Sequence, residues 1–449
     1  MTVLLDAPTA KDTHVAGLLR LATAGSVDDG KSTLVGRLLY DTKSVLADQY
    51  EAVERTSRNR GLEQADLALL TDGLRSEREQ GITIDVAYRY FATPHRRFIL
   101  ADTPGHVQYT RNMVTGASTA ELAVILVDAR KGLAEQTRRH TAVSALLRVP
   151  RVLLAVNKMD LVDFDKDRFG EIEADFAAYA TALGVEHHAA LPVSALRGDN
   201  VVEPSADLAW FEGPTLLEYL ENVPVETERR PAGRFPVQYV IRHQAADYRG
   251  YAGTIASGHL EVGDPIVVLP SGQRSTIAAI DLLGRPAERA TAGQAATLLL
   301  ADELDVSRGD LIAPADSAPT AVQDVVATVC HLSEKPLNVG DRVLLKHTTR
   351  TVKAIVKEIS AKLDISDPLA AAGSVKDTEA DEFAWDDDAP ATHSLNANDI
   401  GRVVLRTASP ILLEPYAADR ETGSFLLIDP ASGDTLTAGM SGDPLGVFS

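Results

Sequence analysis

The chain of 449 residues carries 44 basic and 64 acidic side chains, a formal net charge of -20, and 45% of its residues are hydrophobic. So much apolar surface excludes a largely disordered chain, and the charge argues against a general nucleic-acid-coating surface. The sequence shows neither a membrane-length apolar run nor a secretory signal, and its single cysteine, Cys330, suits a reducing compartment. We therefore predict a cytoplasmic protein of about three domains.

The first half of the chain alternates strand-like and helix-like segments. Apolar runs that each end at a polar residue cover residues 18–24, 98–101, 122–127, 152–156 and 189–193. Helix-length segments such as 31–39 and 135–147 lie between them. This alternation predicts an α/β domain with a mostly parallel sheet, in which ligands bind at the carboxyl ends of the strands.

The second half predicts two antiparallel β-barrels. Short β-rich runs with Gly-Asp and Ser-Gly turns follow a polar, proline-flanked linker at 224–233, and a second break lies at 313–319. The predicted organisation is an N-terminal tail at 1–17, an α/β domain at 18–226, and barrels at 234–314 and 320–449.

An acidic stretch interrupts the last predicted barrel. Residues 376–388 hold seven acidic side chains and one lysine. Such runs are usually solvated loops, and we favour that interpretation. A docking site for a basic partner is the alternative.

A phosphate-binding loop follows the first predicted strand. The pattern G-x-x-x-x-G-K-[ST] is matched by Gly25, Ser26, Val27, Asp28, Asp29, Gly30, Lys31 and Ser32. Its backbone N–H groups and the following helix N-terminus would hold phosphates. Lys31 would neutralise the β- and γ-phosphates, and the Ser32 hydroxyl would ligate Mg²⁺.

A second segment predicts which base is bound. Asn157, Lys158, Met159 and Asp160 follow a buried strand. A carboxylate such as that of Asp160 accepts from both the N1–H and the 2-amino group of guanine, whereas adenine would leave it unpaired. After the last strand, Ser194, Ala195 and Leu196 could offer a backbone N–H to guanine O6.

A third segment predicts groups that face the γ-phosphate: Asp102, Thr103, Pro104, Gly105 and His106. Asp102 would reach Mg²⁺ through water, and the Gly105 N–H would contact the γ-phosphate at a distance that a Cβ would prevent. His106 could orient the attacking water.

Thr83, in the run 81–84, lies between the phosphate loop and Asp102. A switch-loop threonine places its hydroxyl on Mg²⁺ and its backbone on the γ-phosphate, and hydrolysis would release such a loop. We predict catalytic roles for His106, Lys31 and Thr83, and Mg²⁺ contacts from Ser32, Thr83 and Asp102.

These motifs, in this order, resemble the translational GTPase superfamily, and the predicted domain order is similar to elongation factor Tu. The sequence also resembles the large, GTP-hydrolysing subunits of two-subunit bacterial ATP sulfurylases (sulfate adenylyltransferases). Five segments carry this resemblance: residues 25–32, 36–43, 61–70, 78–91 and 102–113. Elongation factors typically have His where Ser26 and Asp29 stand here, and often Thr where Ser32 stands.

The resemblance implies a heterodimer that makes adenosine 5′-phosphosulfate and pyrophosphate from ATP and sulfate, driven by GTP hydrolysis in this subunit. It implies GTP and Mg²⁺ as cofactors, and a smaller partner subunit that holds ATP and sulfate. Some relatives are fused to an adenylylsulfate kinase, which would need a second phosphate loop. The sequence shows none, so we expect the unfused form. We expect neither a membrane nor a nucleic acid as a partner.

Two alternatives share the fold and the nucleotide site: an elongation-factor-like carrier of aminoacyl-tRNA, and a regulatory GTPase with another partner. The switch-region sequences and the replaced P-loop histidines favour sulfate activation over the first. Stimulation of GTP hydrolysis by RNA or ribosomes would indicate the translation factor.

Overall fold

The computed structural model describes residues 17–59, 61, 65–70, 85–106, 109–225, 232–243, 248–365 and 394–446. The chain divides between residues 226 and 227 into two compact units. Three predictions lie outside the described residues: the tail up to residue 16, Thr83, and the acidic stretch 376–388.

The first unit contains a six-stranded sheet and its helices. Its strands are β1 (Leu18–Gly25), β2 (Ala87–Ala92), β3 (Arg97–Asp102), β4 (Leu122–Asp128), β5 (Arg151–Asn157) and β6 (His188–Pro192). Its helices are α1 (Lys31–Asp41), α2 (Ala47–Asn59), α3 (Thr110–Ala117), α4 (Glu135–Leu146), α5 (Lys166–Ala182) and α6 (Leu216–Asn222). Short 3₁₀ helices cover Leu67–Leu70, Met159–Val162 and Ala206–Leu208.

The strand order is β2-β3-β1-β4-β5-β6. All neighbours are parallel except β2, which pairs antiparallel with β3. Every residue of β4 and β5 is buried, as the uninterrupted apolar runs predict. The predicted α/β fold is therefore confirmed. The carboxyl ends of β1, β3, β5 and β6 lead directly into the predicted nucleotide motifs.

The second unit contains the predicted antiparallel barrels. The strands of the first barrel region are β7 (Phe235–His243), β8 (Tyr248–Thr254), β9 (His259–Glu261), β10 (Pro265–Leu269), β11 (Gln273–Leu282), β12 (Arg285–Ala287), β13 (Arg289–Thr291), β14 (Ala295–Leu300) and β15 (Leu311–Pro314). Strands β10-β15-β7-β8-β14-β11 close through the β10–β11 pair, with β12 added on β11 and β9 paired with β13.

The second barrel follows in the same unit. Its elements are β16 (Val322–His331), β17 (Leu337–Asn338), β18 (Arg342–His347), β19 (Arg350–Lys362), β20 (Ser394–Leu395), β21 (Ile400–Ile411), α7 (Arg420–Gly423), β22 (Ser424–Ile428) and β23 (Thr435–Ser441). Strands β16-β21-β19-β18-β22-β23 form a closed barrel. Both predicted barrels are thus present, and their limits at 234–314 and 320–449 remain our proposed domain boundaries.

Among the helices that the structure describes, none has both the length and the apolar character needed to cross a membrane.

Candidate nucleotide-binding site

The predicted phosphate loop connects β1 to α1 in a tight turn. Gly30 has φ +93°, and a Cβ on it would lie 2.4 Å from the Asn157 Nδ2 atom. Glycine removes both the conformational and the steric penalty. Asp29 is buried, and its carboxylate accepts a hydrogen bond from the Ser26 N–H at 2.7 Å. The loop is therefore held closed by its own side chain.

Lys31 is buried at the start of α1. Its Nζ donates to the carbonyl oxygens of Gly25 at 2.7 Å and Ser26 at 2.9 Å. Burial lowers the pKa of Lys31, while the nearby carboxylates of Asp102 and Asp29 act in the opposite direction. The cation thus lies inside the loop, where its donors can transfer to phosphate oxygens.

The Asp102 segment lies directly against this loop. A Cβ on Gly105 would lie 2.3 Å from Lys31 Nζ and 2.5 Å from the Gly25 oxygen, so only glycine allows this approach. Asp102 is 2% exposed and accepts from the Thr23 hydroxyl at 3.1 Å. The structure therefore brings the segment predicted to face the γ-phosphate into contact with the phosphate loop.

His106 follows Gly105 and is half-buried. Its carbonyl accepts from the Tyr109 N–H at 2.9 Å, and the two ring centroids lie 6.0 Å apart. The structure places this histidine at the edge of the same site, one residue beyond the close approach of Gly105 to Lys31.

Asn157 connects the phosphate loop to residues 194–196, which form the predicted base-binding loop. It is 2% exposed at the end of β5. Its Nδ2 donates to the Asp29 carbonyl at 2.7 Å, and its Oδ1 accepts from the Ala195 N–H at 2.9 Å. One side chain therefore fixes three segments that are far apart in the sequence.

Lys158 is held in the left-handed region at φ +63°. Its Nζ donates to the Asp28 carbonyl and lies 3.0 Å from an Asp128 carboxylate oxygen. Asp128 is fully buried and also accepts from both the Nε and the Nη2 of Arg130, at 3.0 and 2.6 Å. Burial raises the pKa of Asp128, but the hydrogen bonds from Arg130 and Lys158 outweigh it and lower the pKa well below its usual range.

No motif in the sequence assigns a role to Asp128 or Arg130. The available signal was the polar residue at the end of β4, next to the strand that carries the predicted base motif.

The remaining base-motif residues follow at the same edge. Met159 is fully buried, and Asp160 is half-buried in the 3₁₀ helix Met159–Val162. Ser194 is buried after β6, and its hydroxyl accepts from the Arg197 N–H at 3.3 Å. The Leu196 side chain is 62% exposed.

Arg37 of α1 contacts residues 194–196 of the predicted base-binding loop, a contact that no sequence pattern predicts. Its Nε donates to the Ala195 carbonyl at 3.2 Å, and its Nη2 donates to the Leu196 carbonyl at 2.6 Å. Arg37 appeared only within a segment that resembles the sulfurylase subunits, and no motif rule assigns it a contact.

His140 of α4 is buried near Lys31 of the phosphate loop. Burial and the nearby cations Lys31 and Arg139 lower the pKa of His140 to about 3. Its Nε2 lies 2.9 Å from Gln136 Nε2. The imidazole is therefore neutral near pH 7, and a second positive charge close to Lys31 is avoided.

The donor set at the site suits Mg²⁺ only together with a nucleotide. Asp102 supplies a buried carboxylate, and Ser32 a hydroxyl at the start of α1. Within the described ranges, no group of three or more His, Cys, Asp or Glu side chains could hold a metal ion by itself. Hard oxygen ligands from phosphates would have to complete the coordination.

Comparisons with protein families match two parts of the chain. Residues 17–225 match the elongation factor Tu GTP binding domain, and residues 385–441 match the GTP-eEF1A C-terminal domain-like family. The first match covers the residues that form the site.

Curated relatives match almost the whole chain. The bifunctional enzyme CysN/CysC of Mycobacterium tuberculosis is 52% identical over 94% of this chain and 67% of its own length. Sulfate adenylyltransferase subunit 1 is 48% identical in Aeromonas salmonicida and 46% in Bacteroides fragilis. Those matches cover 94% of this chain, and 86% and 85% of the relatives.

A solved structure described as "Crystal Structure Analysis of sup35 complexed with GDP" is 21% identical and covers 98% of this chain and 97% of its own. Its TM-score of 0.40 is too low to support a structural conclusion.

Proposed function

Because this chain belongs to the sulfate adenylyltransferase subunit 1 family, we propose that it hydrolyses GTP to drive the synthesis of adenosine 5′-phosphosulfate and pyrophosphate from ATP and sulfate. One observation carries the GTP assignment. Asn157 joins the phosphate loop to the predicted base loop, at an edge of the sheet where the Asp102 segment also arrives. A phosphate site and a base site are thus held at a fixed separation.

The phosphate end consists of residues 25–32 and 102–106. The amides of the loop and of the α1 N-terminus bind phosphate oxygens, and Lys31 moves its donors from Gly25 and Ser26 to the β- and γ-phosphates. The Gly105 N–H contacts the γ-phosphate, which GDP lacks. This end therefore distinguishes GTP from its product.

The base end consists of Asn157, Lys158, Met159 and Asp160 with residues 194–196. Asp160 accepts from the two guanine donors, and the Lys158 stem, anchored at both Asp28 and Asp128, covers the ring. Since the Ala195 N–H already donates to Asn157, the O6 contact falls to the Leu196 N–H.

Ser32, with Asp102 acting through water, would hold Mg²⁺, which would neutralise charge on the phosphates of the nucleotide. Thr83 is the third proposed magnesium contact. His106 orients the water that attacks the γ-phosphorus, and GDP and phosphate leave.

The proposal places the chain in the cytoplasm with a smaller partner subunit that binds ATP and sulfate. The relatives are sulfate adenylyltransferase subunits, which supports sulfate activation and not the aminoacyl-tRNA carrier. Neither a nucleic acid nor a membrane is required for this function.

The test is coupled synthesis with the full chain. The chain is mixed with the smaller subunit, Mg²⁺, ATP and radiolabelled sulfate, with and without GTP, and adenosine 5′-phosphosulfate is measured. GTP-dependent product is the expected result. Lys31→Ala should abolish it, whereas Lys166→Ala, at an exposed lysine of α5, is the matched control and should not.

If GTP is hydrolysed at one rate with or without partner and sulfate, and no product forms, the coupling proposal fails. Stimulation of that hydrolysis by ribosomes would then indicate the translation-factor alternative.

A further inference from the structure

Arg37 links the helix of the phosphate site to the base loop. Lys31 begins α1, and Arg37 lies in the second turn of that helix. Its guanidinium donates from two nitrogens to the consecutive carbonyls of Ala195 and Leu196, at 3.2 and 2.6 Å. Charged donors make stronger hydrogen bonds than neutral ones, and a planar guanidinium fixes the direction of both.

The geometry of the peptide unit transmits this contact to the proposed O6 donor. The Ala195 carbonyl and the Leu196 N–H belong to one planar trans peptide, so the two groups point in opposite directions. A hydrogen bond that fixes the carbonyl on the α1 side therefore fixes the N–H on the other side. The positive charge of the Arg37 guanidinium beside the carbonyl oxygen also polarises the peptide and strengthens its N–H as a donor.

The Leu196 N–H is available for a ligand. In the part of the chain that the structure describes, its N–H has no hydrogen-bond acceptor, whereas the neighbouring Ala195 N–H donates to Asn157. Asn157 and Arg37 thus orient two successive peptides of the loop from two different elements. Gly198 packs near the guanidinium, where a Cβ would lie 3.6 Å from the Arg37 Cδ atom.

We propose that Arg37 is a positioning residue that orients the Leu196 N–H toward the 6-oxygen of guanine and so contributes to base selectivity. The inference rests on the proposed function, because it requires that the site bind guanine nucleotides. Arg37 acts only through the loop and does not touch the nucleotide itself.

Binding of three nucleotides to the full chain with Mg²⁺ tests the proposal. GTP and inosine triphosphate both carry the 6-oxygen, whereas 2-aminopurine riboside triphosphate lacks it. Arg37→Met, which removes the donors but keeps the stem, should weaken GTP and inosine triphosphate binding about tenfold, the effect of losing one well-oriented hydrogen bond. Binding of the 2-aminopurine nucleotide should change less than about twofold, which also reports an intact phosphate site.

Two further variants separate the carbonyl contacts from other roles. Arg37→Lys keeps the charge but offers a single nitrogen, so it should lose part of the preference for nucleotides with a 6-oxygen. This variant tests the proposal if Arg37→Met does not fold. Asp41→Asn removes the other partner of Arg37, whose carboxylate lies 3.7 Å from Nη1, and should leave all three affinities unchanged.

The outcomes distinguish this inference from the function on which it rests. Equal losses for all three nucleotides, or the same loss in Asp41→Asn, would overturn the positioning role. The 2-aminopurine nucleotide also lacks the N1–H that Asp160 accepts, so some preference for GTP remains in every variant. A preference as large in both Arg37 variants as in the unmodified chain would also overturn the positioning role. If the unmodified chain itself shows no such preference, the assignment of the loop to guanine O6 is wrong.

Discussion

Replacement of Asn157 by alanine removes two buried hydrogen bonds at once. The Asp29 carbonyl loses its donor at 2.7 Å, and the Ala195 N–H loses its acceptor at 2.9 Å. The Asn157 side chain is 2% exposed, so water does not replace it without rearrangement. A buried polar group without a partner costs about 1–3 kcal/mol, so the two groups together predict a loss of about 2–6 kcal/mol in the free energy of unfolding.

Chemical denaturation, followed by a probe in the first unit, measures this loss. Asn222→Ala is the matched control, because that exposed asparagine makes one side-chain hydrogen bond, to the Glu218 carbonyl at 2.8 Å. Its replacement should change stability by less than about 0.5 kcal/mol. GTP affinity should fall in Asn157→Ala and not in the control. Equal, small stability changes in both variants, with GTP binding intact, would refute the view that Asn157 holds the two loops together.

Three further predictions concern single side chains of the site. Asp160→Asn should weaken GTP binding and admit xanthine triphosphate, whose ring carbonyl can accept from the new amide; an unchanged preference in competition binding would contradict the guanine role. His106→Ala should lower the GTP hydrolysis rate by about 100-fold or more with little change in affinity, and equal losses of both would make the residue structural. The folded pKa of His140 lies near 3, below the value of about 6.5 in an unfolded chain, so the unfolded state binds more protons between these values. Stability that is complete above pH 6.5 is therefore lost on acidification, by about 1 kcal/mol between pH 6.5 and 5.5, and denaturation of His140→Gln should lack that component.

The α/β architecture and the nucleotide motifs were readable from the sequence because both are local patterns. The runs at 122–127 and 152–156 are apolar at every position, and the structure buries β4 and β5 throughout. Parallel strands with helical connections bring their carboxyl ends to one edge, so polar residues after each strand had to meet there. The barrels followed from turn spacing in the same way.

The sequence did not reveal the edge strand β2. Its residues Tyr88 and Tyr90 are exposed on one face, and no apolar run marks them. Strand β2 is exposed on one face and at least partly buried on the other, so the continuous apolar pattern that identifies β4 is absent from β2.

The sequence by itself predicted which residues contact a nucleotide, because a phosphate loop and a base motif are short segments with their own chemistry. Only the tertiary structure decided what holds those segments in place. Asn157 reaches Asp29 across 128 positions, and Arg37 reaches Ala195 across 158. Neither spacing follows from helix or strand periodicity, since both contacts exist only after the sheet has brought β1, β5 and β6 together.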